Sequence, residues 1–258
     1  MKKRAFPKTK KLIVANWKMN PESFKEAKKI FDLLRKKKFN ANKIVTVICP
    51  PYLFENELAK SYRSNKIKFG FQDVHFENDE KSTGEISTEM AKNSKVEYVL
   101  VGHSERRQIG ETNEVISKKI KKCLDEKITP ILCIGEDERH ENGDYLNLIK
   151  EQIIESLSDI PKTRVHDVVI AYEPVWAVGK GKNSMDSHEL HQMTIFIKKI
   201  LVSLYGKKIA MELPILYGGS VDADNALELI KQGQVDGLLV GRSSLNSHVF
   251  GDILKNLS

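Results

Sequence analysis

Three polar residues follow separate apolar runs of the chain and carry side chains that could handle protons or anions. Lys18 follows the run at 12–15, His103 follows 98–101, and Glu173 follows 168–171. A partly desolvated carboxylate has a raised pKa and is a better base, and a neutral imidazole can donate a hydrogen bond to a carbonyl oxygen. A lysine in this position can face a substrate anion. Each residue also has an ordinary interpretation: a surface lysine, a capping histidine or the start of a surface loop.

The residues that follow His103 and Glu173 predict how these two side chains are held. The charged segment at 104–107 is expected to begin a helix, whose positive end favours the neutral form of the imidazole. After Glu173, a rigid Pro174 precedes two glycines, Gly179 and Gly181, so a hinge beside a flexible turn predicts a moving lid.

Glycines in the last two repeating units predict a site for a phosphate group. Gly218, Gly219 and Ser220 follow the run at 215–217, and Gly241 and Arg242 follow 237–240. Glycines let backbone N–H groups approach an anion closely, and the loops after strands 7 and 8 hold phosphate in many barrels. Either loop alone is weak evidence, but together they indicate a phosphorylated ligand. No residues have metal-ligand spacing, so neither a metal nor a cofactor is expected.

Eight short apolar runs alternate with amphipathic helical patterns and must position these residues. The runs lack period-2 alternation, which is typical of parallel strands buried on both faces. They lie at 12–15, 44–49, 67–71, 98–101, 131–134, 168–171, 215–217 and 237–240. Between these runs, apolar residues recur every three or four positions and form one apolar stripe on each predicted helix, as at Ile116, Ile120 and Leu124.

This alternation predicts an α/β protein with a closed parallel (β/α)8 barrel. A doubly wound open sheet is the alternative, although no G-x-G-x-x-G motif follows the first strand. We expect one domain over residues 1–258, with residues 1–10 as a short basic extension.

Composition narrows the class of protein further. The chain has 258 residues, 40% hydrophobic and 30% charged residues, and a net charge of +7. Because lysine and glutamate are mixed along most helices, we read the positive charge as solvated helix faces and expect no nucleic-acid partner. No apolar run suits a signal sequence or a membrane span, so we expect a cytoplasmic protein with no membrane partner. The cysteines at 49, 123 and 133 are expected to be reduced and buried.

These segments, in this order, closely resemble the triosephosphate isomerase family over nearly the whole chain. The matching segments are 15–20 (ANWKMN), 101–107 (VGHSERR), 171–179 (AYEPVWAVG), 217–221 (YGGSV) and 236–237 (DG). The resemblance implies a TIM barrel that interconverts dihydroxyacetone phosphate and glyceraldehyde 3-phosphate in glycolysis and gluconeogenesis. It also implies a homodimer completed by the third loop of a partner subunit.

The resemblance further implies a role for each matching residue. Glu173 takes the carbon-bound proton, His103 polarises the carbonyl and shuttles protons between the oxygens, and Lys18 stabilises the enediolate. The residues that the resemblance places on substrate or phosphate are Asn16, Lys18, Gly179, Ser220, Gly241 and Arg242. Glu105 and Ser104 are expected to support this arrangement.

The chain departs from the family pattern in three loops. Lys180 stands in the lid where a small polar residue is common, and the far hinge reads Lys182-Asn183-Ser184. The third loop, at 78–84, has a charged tip, and Arg242 stands where a second glycine is common. Two other functions remain open at this point: a different phosphate-binding barrel enzyme, such as one from tryptophan biosynthesis, and a catalytically silent barrel used for binding.

Overall fold

Eight parallel strands form a closed barrel in which each strand pairs with the next and the last pairs with the first. The computed structural model describes residues 7, 9–77, 82–94, 96–140, 142–177 and 184–258. In chain order the strands are β1 (Lys11–Asn16), β2 (Ile44–Cys49), β3 (Ile67–Phe71), β4 (Tyr98–Val101), β5 (Thr129–Ile134), β6 (Val169–Tyr172), β7 (Ile215–Tyr217) and β8 (Gly237–Val240). The predicted barrel is confirmed, and the open sheet is excluded.

Five strands have the predicted bounds, and three differ at their ends. β1 is one residue longer at each end, β5 begins two residues earlier, and β6 is displaced by one residue toward the carboxyl end. The differences arise because neighbouring strands supply pairing partners: Asn16 pairs with Cys49, and Tyr172 pairs with Tyr217. Polar and aromatic residues therefore extend strands whose apolar runs are shorter.

Helices surround the barrel and connect successive strands. They are α1 (Phe24–Leu34), α2 (Tyr52–Lys60), α3 (Thr88–Asn93), α4 (Ser104–Gln108), α5 (Asn113–Asp125), α6 (Asp144–Ser156), α7 (Ser187–Tyr205), α8 (Lys207–Ala210), α9 (Ala226–Lys231) and α10 (Ser247–Asn256). Side-chain caps fix several starts: the Ser23 hydroxyl accepts a hydrogen bond from the Glu26 amide, and Asn246 caps α10 in the same way. Within the described residues, no helix combines the length and apolar character needed to cross a bilayer.

Alternate residues of each strand face two separate cores. Leu12 and Val14 of β1 point into the barrel interior, whereas Ile13 and Ala15 pack against the surrounding helices. The predicted helical stripes are confirmed, because Ile116, Ile120 and their counterparts on the other helices line the outer core. The three cysteines are buried and unpaired, as predicted.

Candidate active site

A cavity of about 590 Å³ opens at the carboxyl ends of the strands. Glu173, His103, Lys18 and Asn16 line it together, although they lie at or just beyond the ends of three separate strands, β1, β4 and β6. Parallel strands in a closed barrel all end at the same face, and side chains just beyond their ends therefore converge. Ser104, Glu105, Ser220, Gly241 and Arg242 line the same cavity.

The Glu173 carboxylate and the His103 ring are in contact and almost completely buried. Oε1 of Glu173 lies 3.2 Å from Nε2 of His103, with 5% and 6% of the two side chains exposed. Oε2 of Glu173 has no hydrogen-bond partner among the described residues. The two oxygens of Glu173 are therefore inequivalent, because one lies against the imidazole and the other is enclosed by the protein.

A helix start determines which nitrogen of His103 carries the proton. His103 caps α4, where its Nδ1 accepts a hydrogen bond from the backbone N–H of Glu105 at 3.2 Å. An accepting Nδ1 carries no hydrogen, so the ring proton lies on Nε2 and points toward Glu173. A second proton would have to displace the Glu105 amide, so this bond favours the neutral ring that the sequence predicts, whereas the Glu173 carboxylate raises the pKa of His103 and favours the charged ring.

Burial and charge oppose each other at this pair. Burial raises the pKa of Glu173, but His103 and Lys18 lower it by more, so the pKa of this carboxyl lies below its ordinary value. The predicted rise in the pKa of Glu173 was therefore wrong in its net direction. At His103, burial lowers the pKa and the Glu173 carboxylate raises it by more, so the pKa lies above its ordinary value. Glu173 is consequently ionised at neutral pH and ready to act as a base.

Lys18 is held by three contacts in an unusual backbone conformation. Its φ of 53° is left-handed, which costs a non-glycine residue roughly 1–3 kcal/mol. Its backbone N–H donates to Oδ1 of Asn16 at 3.0 Å, and its carbonyl accepts from Nε2 of Gln72 at 2.8 Å. Its ammonium group lies 2.8 Å from Oε1 of Glu105. These contacts direct the Lys18 side chain into the cavity.

The predicted phosphate loops lie at one end of the cavity. The Ser220 N–H and hydroxyl both donate to the Ala177 carbonyl, at 3.0 and 2.7 Å. These two bonds link the loop after β7 to the 3-10 helix Val175–Ala177. Gly241 precedes the 3-10 helix Arg242–Leu245, and a methyl group on Gly241 would meet no atom closer than Lys18 Cε at 3.9 Å. Open space therefore remains above Gly241 for a ligand.

Gly218 is predicted to let the backbone approach an anion, but the structure gives a second reason for glycine at this position. A Cβ atom there would lie 2.6 Å from Cγ of Glu173 and 3.3 Å from its Oε1. The absence of a side chain at Gly218 lets the base occupy its position against His103. At Gly219, a Cβ atom would collide with the Tyr217 hydroxyl.

Sequence reasoning missed a buried cluster beside Glu173. Oε1 of Glu136 accepts hydrogen bonds from the Tyr172 hydroxyl at 2.8 Å, Trp176 Nε1 at 3.0 Å and Arg139 Nε at 2.7 Å. The Arg139 guanidinium also lies over the Trp176 ring, 5.1 Å from its centre. The cluster therefore fixes the segment between Glu173 and Ala177. The position of Glu136 could have revealed this cluster, because Glu136 comes two residues after β5. In the same way, Gln72, which holds the Lys18 carbonyl, comes directly after β3.

Several predicted features lie outside the described residues. These are Gly179, Lys180 and the rest of the segment at 178–183, the charged tip of the third loop at 78–81, and most of the extension at 1–10. Among the residues that are described, no group of three or more His, Cys, Asp or Glu could hold a metal ion.

Comparison with known proteins matches this chain to one family. Residues 11–257 match the family model described as triosephosphate isomerase. A triosephosphate isomerase of Alkaliphilus oremlandii is 39% identical over 249 residues, covering 95% of this chain and 98% of the relative. That of Dictyoglomus turgidum is 38% identical over 255 residues, covering 96% and 99%. That of Mycoplasmoides gallisepticum is 38% identical over 248 residues, covering 95% and 98%.

Proposed function

Since the chain belongs to the triosephosphate isomerase family and carries its isomerase activity, we propose that Glu173, His103 and Lys18 perform the reaction. Dihydroxyacetone phosphate and glyceraldehyde 3-phosphate are interconverted, a step of glycolysis. The observation that supports this assignment is the convergence of the three side chains on one cavity at the carboxyl ends of the strands. A phosphate-binding barrel of another family or a silent barrel would not require this convergence.

The proposed reaction moves one proton between adjacent carbons. The Glu173 carboxylate takes a proton from the carbon beside the carbonyl, and the electron pair moves to the carbonyl oxygen to give an enediolate. The Nε2–H of His103 polarises that oxygen and transfers protons between the two oxygens, while Lys18 stabilises the negative charge. Glu173 then returns its proton to the neighbouring carbon. Asn16 contacts the substrate oxygens and holds the Lys18 amide.

Glu105 and Ser104 support these groups without touching the reacting atoms. Glu105 holds the Lys18 ammonium with one oxygen and donates its backbone N–H to Nδ1 of His103. Ser104 begins α4, directly after the His103 cap, so its place in the helix orients the ring. Two supporting residues therefore connect Lys18 and His103 to one short helix.

The phosphate group is proposed to sit between Ser220, Gly241 and the backbone N–H of Arg242, with Gly179 contributing from the lid. Ser220 would exchange its bonds to Ala177 for bonds to phosphate oxygens. A comparison of glyceraldehyde 3-phosphate with phosphate-free glyceraldehyde tests this placement. Ser220→Ala is expected to lower kcat/KM for the phosphorylated substrate by roughly 10-fold, a typical loss for one hydrogen bond to a charged group. It should leave the value for glyceraldehyde almost unchanged. Equal losses for both substrates would reject the phosphate role.

We also propose that the chain forms a homodimer through its first four units. Exposed apolar side chains follow each of these strands: Met19 after β1, Leu53 after β2, Met90 after β3 and Ile109 after β4. Met19 is 92% exposed and Leu53 is 84% exposed, which is costly for a monomer. Sedimentation velocity is expected to show a dimer for the wild type and a monomer for Leu53→Asp. A wild-type monomer with full turnover at micromolar concentration would contradict the dimer.

We further propose that the chain forms a single domain and acts in the cytoplasm. Three buried, unpaired cysteines suit a reducing compartment.

A further inference from the structure

The positive charge of the chain is concentrated in two short segments. Residues 35–68 contain nine basic and two acidic residues, so this segment alone accounts for a net charge of +7. Residues 1–11 add six basic residues and no acidic residue. The rest of the chain has 27 basic and 33 acidic residues and is therefore net negative. The mixing of lysine and glutamate along most helices, from which no nucleic-acid partner was expected, therefore does not extend to these two segments.

The fold brings eight of the basic residues in these segments together at one corner of the barrel. The loop at 35–43 joins α1 to β2, and the loop at 61–66 joins α2 to β3, so both lie at the amino ends of adjacent strands. Nη1 of Arg35 donates to the Ser61 carbonyl at 3.4 Å, and Nζ of Lys10 donates to the Ala41 carbonyl at 2.8 Å. The set, which we name the basic corner, is Lys10, Arg35, Lys36, Lys38, Lys43, Lys60, Arg63 and Lys66.

Little negative charge lies near this surface. Arg35 pairs with Asp32 at 2.8 Å. Lys36, Lys38, Lys60 and Lys66 are exposed and form no ion pair within the described part of the chain. A surface with many uncompensated cations attracts polyanions and steers their approach.

We propose that the basic corner binds the phosphate backbone of double-stranded nucleic acid, without reading its sequence. Such binding depends on lysine and arginine contacts that release counterions from the duplex. The basic corner offers a ligand mainly positive charge. The large apolar side chains next to it, Phe39 and Tyr62, are half buried against the core. No exposed aromatic ring among the described residues of the corner could stack on single-stranded bases, and no apolar side chain could enter a bilayer.

The basic corner lies at the opposite face of the barrel from the catalytic cavity. Occupation of the corner should therefore leave the isomerase activity unchanged. Activity also provides a folding control that is independent of nucleic-acid binding.

The test compares two quadruple variants with the same change in charge. One variant carries Lys36→Gln, Lys38→Gln, Lys60→Gln and Lys66→Gln in the basic corner. The control carries the same substitution at four exposed lysines on α5, α6, α7 and α9: Lys121, Lys150, Lys199 and Lys231. Fluorescence anisotropy measures the binding of a labelled, mixed-sequence DNA duplex of about 20 base pairs across salt concentrations.

The corner variant is expected to bind the duplex at least about 10-fold more weakly at low salt. Its plot of log affinity against log salt should be shallower by about two to four, since each lost phosphate contact removes about 0.9 from the slope. The control should change affinity by less than about threefold. Equal weakening by both variants would overturn the proposal, because net charge alone would explain the binding. Failure of the wild type to bind the duplex, with or without binding to phosphatidylserine vesicles, would also overturn it.

Discussion

Nε2 of His103 and Oε1 of Glu173 lie 3.2 Å apart, although the two residues are 70 positions apart in the chain. Each group changes the other, because the carboxylate raises the pKa of the imidazole and the ring lowers that of the carboxyl. The pair therefore holds an ionised base next to a proton donor, with both side chains nearly buried at the wall of the cavity. A substrate that enters the cavity must come between these two groups or beside them.

Replacing Glu173 by Gln should remove the base while preserving the shape of the site. We expect kcat to fall by at least about 10²–10⁴-fold, the usual contribution of a positioned general base. Steady-state kinetics with glyceraldehyde 3-phosphate measures the loss, and circular dichroism checks the fold. Glu105→Gln is the matched control and should cost less, because Glu105 acts through Lys18. A near-normal kcat for Glu173→Gln would reject the assignment.

Replacing Gly218 by Ala should displace the base without removing it. The new Cβ atom would lie 2.6 Å from Cγ of Glu173, so the carboxylate must move. A shift of about 1 Å in a catalytic group can cost about 100-fold, and we expect kcat to fall 10–100-fold with a smaller change in KM. Gly241→Ala provides the contrast, because its Cβ atom meets no protein atom closer than 3.9 Å but enters the proposed phosphate site, so it should raise KM more than it lowers kcat. If the two variants lost kcat equally, contact with Glu173 would not be the reason for glycine at 218.

Most of the fold could be predicted from the spacing of apolar runs. Eight runs without alternation require parallel strands that are covered on both faces, and the stripes between them supply the covering helices. Strand ends were less predictable, because Asn16 and Tyr172 are held in strands by pairing with Cys49 and Tyr217. Such pairing depends on the neighbouring strand and not on the residue itself.

Part of the site could also be predicted from the apolar runs, because the active-site residues of a parallel barrel lie just beyond the carboxyl ends of its strands. That rule placed Lys18, His103 and Glu173, and it would have found Glu136 had it been applied to β5. It could not give the net direction of the pKa of Glu173, which depends on the positions of His103 and Lys18 around the carboxylate. The left-handed conformation of Lys18 was also not visible, because Asn16 and Gln72 impose it.

Glu55 should make the stability of the protein depend on pH. The residue is 1% exposed, its Oε1 has no hydrogen-bond partner among the described residues, and burial raises the pKa of its carboxyl to about 7. No charged group of the packed elements α1 and β3 contributes to this shift. The folded chain therefore keeps a proton that the unfolded chain releases near pH 4.5.

The free energy of unfolding should therefore fall as pH rises from about 4.5 to about 7, and then level off. With about 1.4 kcal/mol for each pKa unit, the loss is on the order of 3 kcal/mol. Urea denaturation of the wild type and Glu55→Gln between pH 5 and 8 isolates this group. Glu55→Gln should become the more stable of the two toward pH 8. The exposed Glu57 on the same helix provides a control, and Glu57→Gln should show no such pH-dependent difference. A constant difference between wild type and Glu55→Gln at all pH values would contradict the prediction.

Lys119 should contribute far more to stability than its sequence neighbour Lys118. Nζ of Lys119 lies 2.7 Å from Oδ1 of Asp73 and also bonds to Glu111, and the side chain is only 3% exposed. Removing one partner of a buried ion pair leaves an uncompensated charge, which costs about 3–5 kcal/mol. Arg106 remains 2.8 Å from Asp73 and offsets part of this cost, so we expect a loss of about 3 kcal/mol for Lys119→Met.

Lys118 lies on the same helix and provides the matched comparison. Its ammonium group is 2.8 Å from Oε1 of Glu114, but the two side chains are 44% and 76% exposed. Exposed pairs contribute about 0–1 kcal/mol, so Lys118→Met should change the free energy of unfolding only slightly. Urea denaturation at pH 7 compares the two variants, and similar losses would show that the Lys119 cluster is not a buried charge site. The penalty for Lys119→Met should also shrink as pH falls toward 5. Burial raises the pKa of Asp73 and Lys119 lowers it, so without the lysine the protonated form of Asp73 is favoured further, and protonation removes its uncompensated charge.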